Sequence, residues 1–260
     1  MEEEREIIEL GVLFVGGGVS SLSGAVHLAN LIEEHNKKVE ESGEGEPLDE
    51  VMIAILEKGQ YLGAHNLSGA VIDQVALEEL VPDCKEKGAP VEAEVTAEDV
   101  CLLTKSGRIK APFVPGPLDN HGKWVVSLSK LTEWLGKMAE EKGIEILAGF
   151  AGTEVLYDGD KVVGVRTGEK GIGPDGEKKG NYEPSIDLQA NVTVFAEGTR
   201  GNLVKGLIKK LNLDEGKNPQ NYVVGVKEVW KLPEGRFPAG RVIHTLGYPH
   251  PSDTYGGGFV

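Results

Sequence analysis

The sequence has little cysteine: two residues in 260, Cys84 and Cys101. A secreted disulfide scaffold would carry more, and the pair has no metal-type spacing, so the expected compartment is reducing and each thiol reads as a small buried hydrophobe. Positive charge is also in deficit, with 27 basic residues against 42 acidic ones and a formal net charge of −15. Nucleic acid needs lysine and arginine gathered against its phosphates, and anionic lipid needs a polybasic patch, so this balance speaks against both. No apolar run approaches the roughly 20 residues that span a bilayer. The opening MEEEREIIEL is acidic, unlike a signal or transit peptide, and leads within ten positions into a strand, so the chain is expected to start where its fold starts.

What is present begins with LGVLFVG, a short apolar run stopped by glycine, which predicts a strand at about 10–16. Leu22, Val26, Ala29 and Ile32 then recur at three- and four-residue steps, the spacing of one buried helix face. The polar, Gly/Pro-punctuated residues 36–50 read as a solvated excursion before VMIAILEKG supplies a second, apolar strand. Strand, glycine loop, helix and strand make a βαβ unit, and its parallel strands need a crossover and cover on both faces. The fold class is α/β.

Further on, VCLLTKSGRIKAPFV reads as a hairpin turning at Ser106-Gly107, followed by a proline-stiffened loop. Leu128, Leu131, Leu135 and Met138 mark a helix closed by Gly143, then IEILAGF and a hairpin at Asp158-Gly159 give strands. Residues 168–185 are polar and glycine-rich and read as a loop. VTVFAEGTRGNLVKGLIKKL repeats the opening logic of strand, tight turn and helix, with Leu203, Leu207 and Leu211 on one face.

The glycines have a geometric role. In G-x-G-x-x-G the first glycine makes the turn out of the strand, the second lets backbone approach a pyrophosphate, and the third lets helix and strand pack closely. Here Gly16, Gly17 and Gly18 are present, but Ser21 stands in the third place, which predicts a small displacement of the helix and a surviving phosphate site. Glu57, at the end of the second strand, is where a carboxylate would accept ribose hydroxyls. It follows Gly18 by 39 positions against the usual 20 or so, and the excursion at 36–50 absorbs the excess.

Read in order, LEKGQYLGAHNLSGAVID, KEKGAPV, DNHGKWVVSL, VFAEGTRGNLVKGL, PQNYVVGVKEVWKL, GRVIHTLGYP and TYGGGFV resemble the amino-terminal half of electron transfer flavoprotein-ubiquinone oxidoreductases, across nearly all 260 residues. The resemblance implies an FAD-binding, Rossmann-like (glutathione-reductase-type) domain with an inserted, truncated α+β quinone-binding domain. The expected boundaries are 1–105 for the first part of the FAD domain, 106–126 for a crossover, 127–221 for its second part, and 222–260 for the start of the ubiquinone domain. It implies that FAD lies on Gly16, Gly17, Gly18, Ser21, Glu57 and Lys58, that Gly63, Ser68 and Gly69 wrap it toward its flavin ring, and that Ala196, Glu197 and Gly198 approach it a second time. Thr254, Tyr255, Gly256 and Gly257 would lie beside the flavin and the quinone head group. The flavin carries the redox chemistry, so neither a catalytic acid–base residue nor a metal ligand is expected of this chain; His65 and His121 read as hydrogen-bonded structural histidines.

The implied activity is transfer of electrons from reduced electron transfer flavoprotein to ubiquinone, by an electron-transferring-flavoprotein dehydrogenase bound peripherally on the cytoplasmic side of a bacterial inner membrane. Its [4Fe-4S] cluster is expected in the missing carboxy-terminal part, and the chain itself reads as a fragment. A geranylgeranyl-reductase-like FAD oxidoreductase and an inactive cofactor-holding fragment are the alternatives. The sequence departs from the resembled pattern at Ser21, at Val19, where proline is frequent, and at Ser127, where arginine is common; Ser127 reads as a helix N-cap.

Overall fold

The computed structural model describes residues 5–67, 69–251 and 253–260. In chain order its elements are β1 (Ile7–Val15), α1 (Val19–Ser42), β2 (Ile53–Glu57), β3 (Ala70–Ile72), α2 (Val75–Leu80), β4 (Val91–Glu94), β5 (Ala97–Leu103), β6 (Arg108–Lys110) and β7 (Trp124–Val126). There follow α3 (Leu128–Glu141), β8 (Glu145–Ala148), β9 (Gly152–Asp158), β10 (Lys161–Thr167), β11 (Lys170–Ile172), β12 (Lys178–Glu183), β13 (Asp187–Phe195), α4 (Leu203–Leu211), β14 (Arg241–Gly247) and β15 (Gly257–Phe259). They form two compact units, Met1–Leu67 with Leu128–Gly225, and Ser68–Ser127 with Val226–Val260. Residues 69–105, assigned from the sequence to the cofactor domain, therefore pack in the second unit, and its boundaries fall at 67/68, 127/128 and 225/226.

The first unit is built on a six-stranded sheet of order β8-β2-β1-β13-β10-β9. β8, β2, β1 and β13 run parallel, and β10 and β9 extend the sheet as an antiparallel pair. Ile53, Ala54, Ile55 and Leu56 of β2 are all buried, as a parallel strand covered on both faces demands. Leu10, Leu13, Val15, Leu56, Val165, Leu188 and Leu203 gather into one core. Each such side chain removed from water contributes about 1.5–3 kcal/mol. The numerical order of the four parallel strands, third-second-first-fourth, is that of a Rossmann half, with its reversal of direction between β1 and β13.

α1 buries Ser21, Leu22, Ala25, Val26 and Ala29. The helix runs further than its apolar stripe, so residues 36–42, read from the sequence as excursion, are its last turns. Apart from the half-buried Asn36 and Val39 their side chains are exposed, while the i,i+4 pairs Lys38–Glu34 and Lys37–Glu41 support the helix and Gly43, in the left-handed conformation, closes it with an N–H bond to the Val39 carbonyl. The loop expected at 168–185 likewise contains a hairpin, β11 with β12. It is polar on both faces, and so lacks the alternation that reveals a half-buried strand. Arg166 fastens the antiparallel edge: its Nε and Nη2 donate to both Asp187 oxygens at 2.6 and 2.9 Å, and Nη1 donates to Glu154 at 2.6 Å. These bonds hold the Asp187 carboxyl below the usual range.

The second unit contains a four-stranded sheet, β15-β14-β5-β6, and a three-stranded one, β3-β7-β4. The hairpin at Ser106-Gly107 forms as the sequence predicts, closed by the Thr104 N–H to the Gly107 carbonyl at 2.8 Å. Asp99 on β5 is buried and accepts from Arg241 on β14 and Lys110 on β6, so one carboxylate ties three strands. The hydrogen bond from Arg241, and then that from Lys110, lower its pKa to about 2. An unfolded Asp titrates near 3.9, so the unfolded state binds the proton more readily and the stability contributed by Asp99 is complete above about pH 4 and lost as pH falls toward 2. Asp99→Asn should lower the urea unfolding midpoint at pH 7 and flatten its dependence on pH between about 2 and 4. An unchanged pH profile would show that Asp99 is not a stabilising acid.

Candidate functional site

The site lies where β1, β2 and β13 run out on the same edge of the sheet. Leaving β1, Gly16 adopts a φ of 108° and donates its N–H to the Leu56 carbonyl at 2.7 Å, while the Ala196 N–H returns to the Val15 carbonyl at 2.9 Å. A Cβ on Gly16 would sit 2.5 Å from the Ala196 carbonyl oxygen, and one on Gly17 would meet Leu62 at 2.7 Å and Glu57 at 2.9 Å. Gly18 differs: nothing lies within 4 Å of where its Cβ would be. Gly16 and Gly17 thus let two strand ends meet, and Gly18 faces open space.

Gly18 is the N-cap of α1, and its carbonyl accepts the first helical bond, from Leu22 at 3.0 Å. The N–H groups of Val19, Ser20 and Ser21 precede that bond and have no acceptor within the helix, and no acidic side chain occupies the first turn. An anion fits such a helix end. Ser21 is not in the cleft: it is buried behind the turn, and its Oγ has no hydrogen-bond partner. Val19 is the first helical residue, the position that proline tolerates best.

Two carboxylates border the cleft, and both are bound to backbone. Glu57 Oε2 accepts from the Gly17 N–H at 2.7 Å and Oε1 from the Gly59 N–H at 2.6 Å, so the acid braces the glycine turn. An ionised carboxylate has about four acceptor sites, which leaves Glu57 able to take ribose hydroxyls as well. Glu197 accepts from the N–H groups of Asn202, Leu203 and Val204 at 2.9, 3.0 and 2.8 Å. Its side chain caps α4, and Ala196 and Gly198 present backbone to the cleft beside it.

The cleft has a volume of about 580 Å³, within the range of small-molecule sites. Of the residues singled out from sequence, Gly16, Gly17, Gly18, Glu57, Lys58, Gly63, Ala196, Glu197 and Gly198 line it together. Gly63 has a φ of 84°, and its missing Cβ would lie 2.6 Å from the Ser129 carbonyl, so this glycine seats the 61–66 turn on α3. The Asn66 amide donating to Thr132 Oγ1 at 2.7 Å, and the Ser129 hydroxyl donating to the Asn66 carbonyl at 3.1 Å, hold the same turn. His65 Nδ1 stands 3.8 Å from Glu57 Oε1, and His121 is exposed in a turn of the second unit.

Sequence reasoning missed Phe150, Ala151 and Gly152 after β8, and Arg200 and Asn202 beside Glu197, all of which line the cleft. The signal was available for the first group, since β8 is a parallel strand ending at the same edge. Ser68 lies outside the described residues. Gly69 belongs to the second unit, where its carbonyl accepts from Lys227 Nζ at 2.8 Å. Thr254, Tyr255, Gly256 and Gly257 also belong there: Tyr255 is fully exposed, and Gly257 opens β15 opposite Leu246 of β14. Ser127 directly precedes α3. Among the described residues no His, Cys, Asp and Glu cluster is arranged to hold a metal, and no helix is long and apolar enough to cross a membrane.

The family model described as ETF-QO, ubiquinone-binding, matches residues 222–260. Over all of its length the chain is 43% identical to the mitochondrial electron transfer flavoprotein-ubiquinone oxidoreductase of Arabidopsis thaliana, and over 99% of it 42% identical to that of Homo sapiens. In sequence, the chain is similar along its whole length to electron transfer flavoprotein-ubiquinone oxidoreductases. It spans about two fifths of the length of these curated relatives, 39% and 40% respectively. In fold it is similar to a geranylgeranyl bacteriochlorophyll reductase-like protein from Thermoplasma acidophilum, with a TM-score of 0.55 over 93% of this chain and 51% of that one, at 14% identity. This likeness agrees with the α/β architecture, in which the glycine turn, Glu57 and the 196–198 turn lie at one edge of the sheet.

Proposed function

We propose that the cleft holds FAD and that the protein to which this chain belongs passes electrons from reduced electron transfer flavoprotein to ubiquinone. The observation that carries the cofactor reading is the open approach at Gly18, at the N-terminus of α1, flanked by a braced carboxylate on one side and the 196–198 backbone on the other. The α1 N–H groups would bind the pyrophosphate, Glu57 would orient the ribose on the β2 side, and Lys58 and Arg200 on the rim would offset phosphate charge. Glu197 keeps the second turn rigid by capping α4. When bound, FAD supplies the redox chemistry between a one-electron donor and a two-electron acceptor.

The names of the relatives and the matched ubiquinone-binding segment support the donor and the acceptor. On this reading Gly63 follows the cofactor toward its flavin, and Thr254, Tyr255, Gly256 and Gly257 of the second unit leave room for a flat ring. The first unit is then the FAD domain, and the second the beginning of the quinone domain. A [4Fe-4S] cluster needs four thiolates, so one in the whole protein would be held outside this chain, whose two cysteines are both buried. We place the protein peripherally at a membrane, on the cytoplasmic face in a bacterium, as an electron-transferring-flavoprotein dehydrogenase.

Stopped-flow mixing of the full-length protein with reduced electron transfer flavoprotein tests this. The protein's flavin absorbance should bleach, and a soluble ubiquinone analogue should restore it. A flavin that stays oxidised with that donor, yet is reduced by a nicotinamide nucleotide, would overturn the proposed donor.

A further inference from the structure

The hairpin β11–β12 lines no part of the cleft, yet one of its side chains stands against the cleft wall. Beyond β8, the N–H groups of Gly149 and Phe150 bond to the carbonyls of Gly59 and Glu57 at 2.7 and 3.0 Å, which pins this segment beside the Glu57 turn. Phe150 lines the cleft there, its ring packed partly on the core of the sheet. Lys170 reaches over it from the hairpin. Its ammonium lies 3.2 Å from the Phe150 ring centroid and 3.3 Å from the Glu183 carboxylate on the opposing hairpin strand. Its stem crosses Gly149, where a Cβ would lie 3.4 Å from both Lys170 Cε and Nζ. Glycine at 149 serves the turn, whose φ is 80°, and the lysine stem lies in contact range of it.

Strand order determines which part of a nucleotide meets this wall. β2 lies between β1 and β8, so with the pyrophosphate at Gly18 and the ribose on Glu57, the base attached to that ribose extends toward 150–152. We propose that Lys170 is a positioning residue for the adenine nucleotide: held by Glu183 and seated on Phe150, it fixes the cleft wall that the purine packs against. This rests on the FAD reading above. A cation on a ring face is held by the ring quadrupole, and a partly buried lysine with a carboxylate at its side has little freedom to leave it. The hairpin is thus a brace for the base end of the cleft.

Titration calorimetry of the full-length apoprotein with FAD and, separately, with ADP tests the inference in Lys170→Met and Lys170→Arg. The methionine variant should weaken FAD and ADP by the same factor, about fivefold, the scale of one partly exposed cation–π contact. Arginine, which keeps the cation on the ring, should restore both. Unchanged ADP affinity in Lys170→Met, beside a wild type that binds, overturns this inference and leaves the cofactor reading intact, and so does a loss that arginine fails to rescue. A wild type that binds neither FAD nor ADP overturns both.

Discussion

Replacing Gly16 with alanine should abolish cofactor retention and unfold the first unit at markedly lower denaturant. At a φ of 108° an L side chain is strained by about 1–3 kcal/mol, and the new Cβ would stand 2.5 Å from the Ala196 carbonyl oxygen. That oxygen belongs to the neighbouring strand's exit and cannot swing aside as a flexible side chain would. β1 and β13 would have to part at the switch point of the sheet. Gly18→Ala is the matched comparison, because its φ of −81° suits any residue and the added methyl group meets only open space. Gly18→Ala should unfold within about 0.5 kcal/mol of wild type while holding FAD less tightly. Equal stability of the two variants in urea would show that Gly16 does not hold the strand ends together.

Substitution at Ser21 should separate in sign according to size. Its side chain is 1% exposed, and its hydroxyl has no hydrogen-bond partner, a cost of about 1–3 kcal/mol. Ser21→Ala removes that cost and favours the helix, so it should raise the unfolding midpoint and leave FAD affinity equal or better. Ser21→Leu forces a larger side chain into the contact between α1 and the sheet, a cost of about 1–3 kcal/mol or more, and should abolish FAD binding by displacing the α1 N–H groups proposed to bind the phosphates. A leucine variant that purifies with full FAD content would show that the loop is not a phosphate cradle.

The features that repeat in one dimension were legible. β1, β2 and β13 show as apolar runs ended by glycine, and α3 and α4 as leucine faces, so the parallel sheet and both of its turns could be placed from sequence. Glu57 was legible because a carboxylate at a strand end in a βαβ unit has a defined place. Its bonds to Gly17 and Gly59 were not, nor was the capping of α4 by Glu197, since both depend on where backbone N–H groups point. Segments with two solvated faces gave no periodic signal, which hid the last turns of α1 and the β11–β12 hairpin. Phe150 and Lys170 are 20 positions apart and meet only because β9 and β10 fold back between them. The allocation of 69–105 to the second unit follows from long-range pairing of β5 with β14, which no local pattern records.

The Gly16–Gly18 turn, Glu57 and the 196–198 turn are proposed together to hold FAD. The most direct test is to denature the purified full-length protein and identify the released nucleotide by chromatography and mass spectrometry. The purified protein should be yellow and release FAD at close to one per chain. Release of FMN or NAD in its place, or a protein that neither carries FAD nor takes it up, would contradict it.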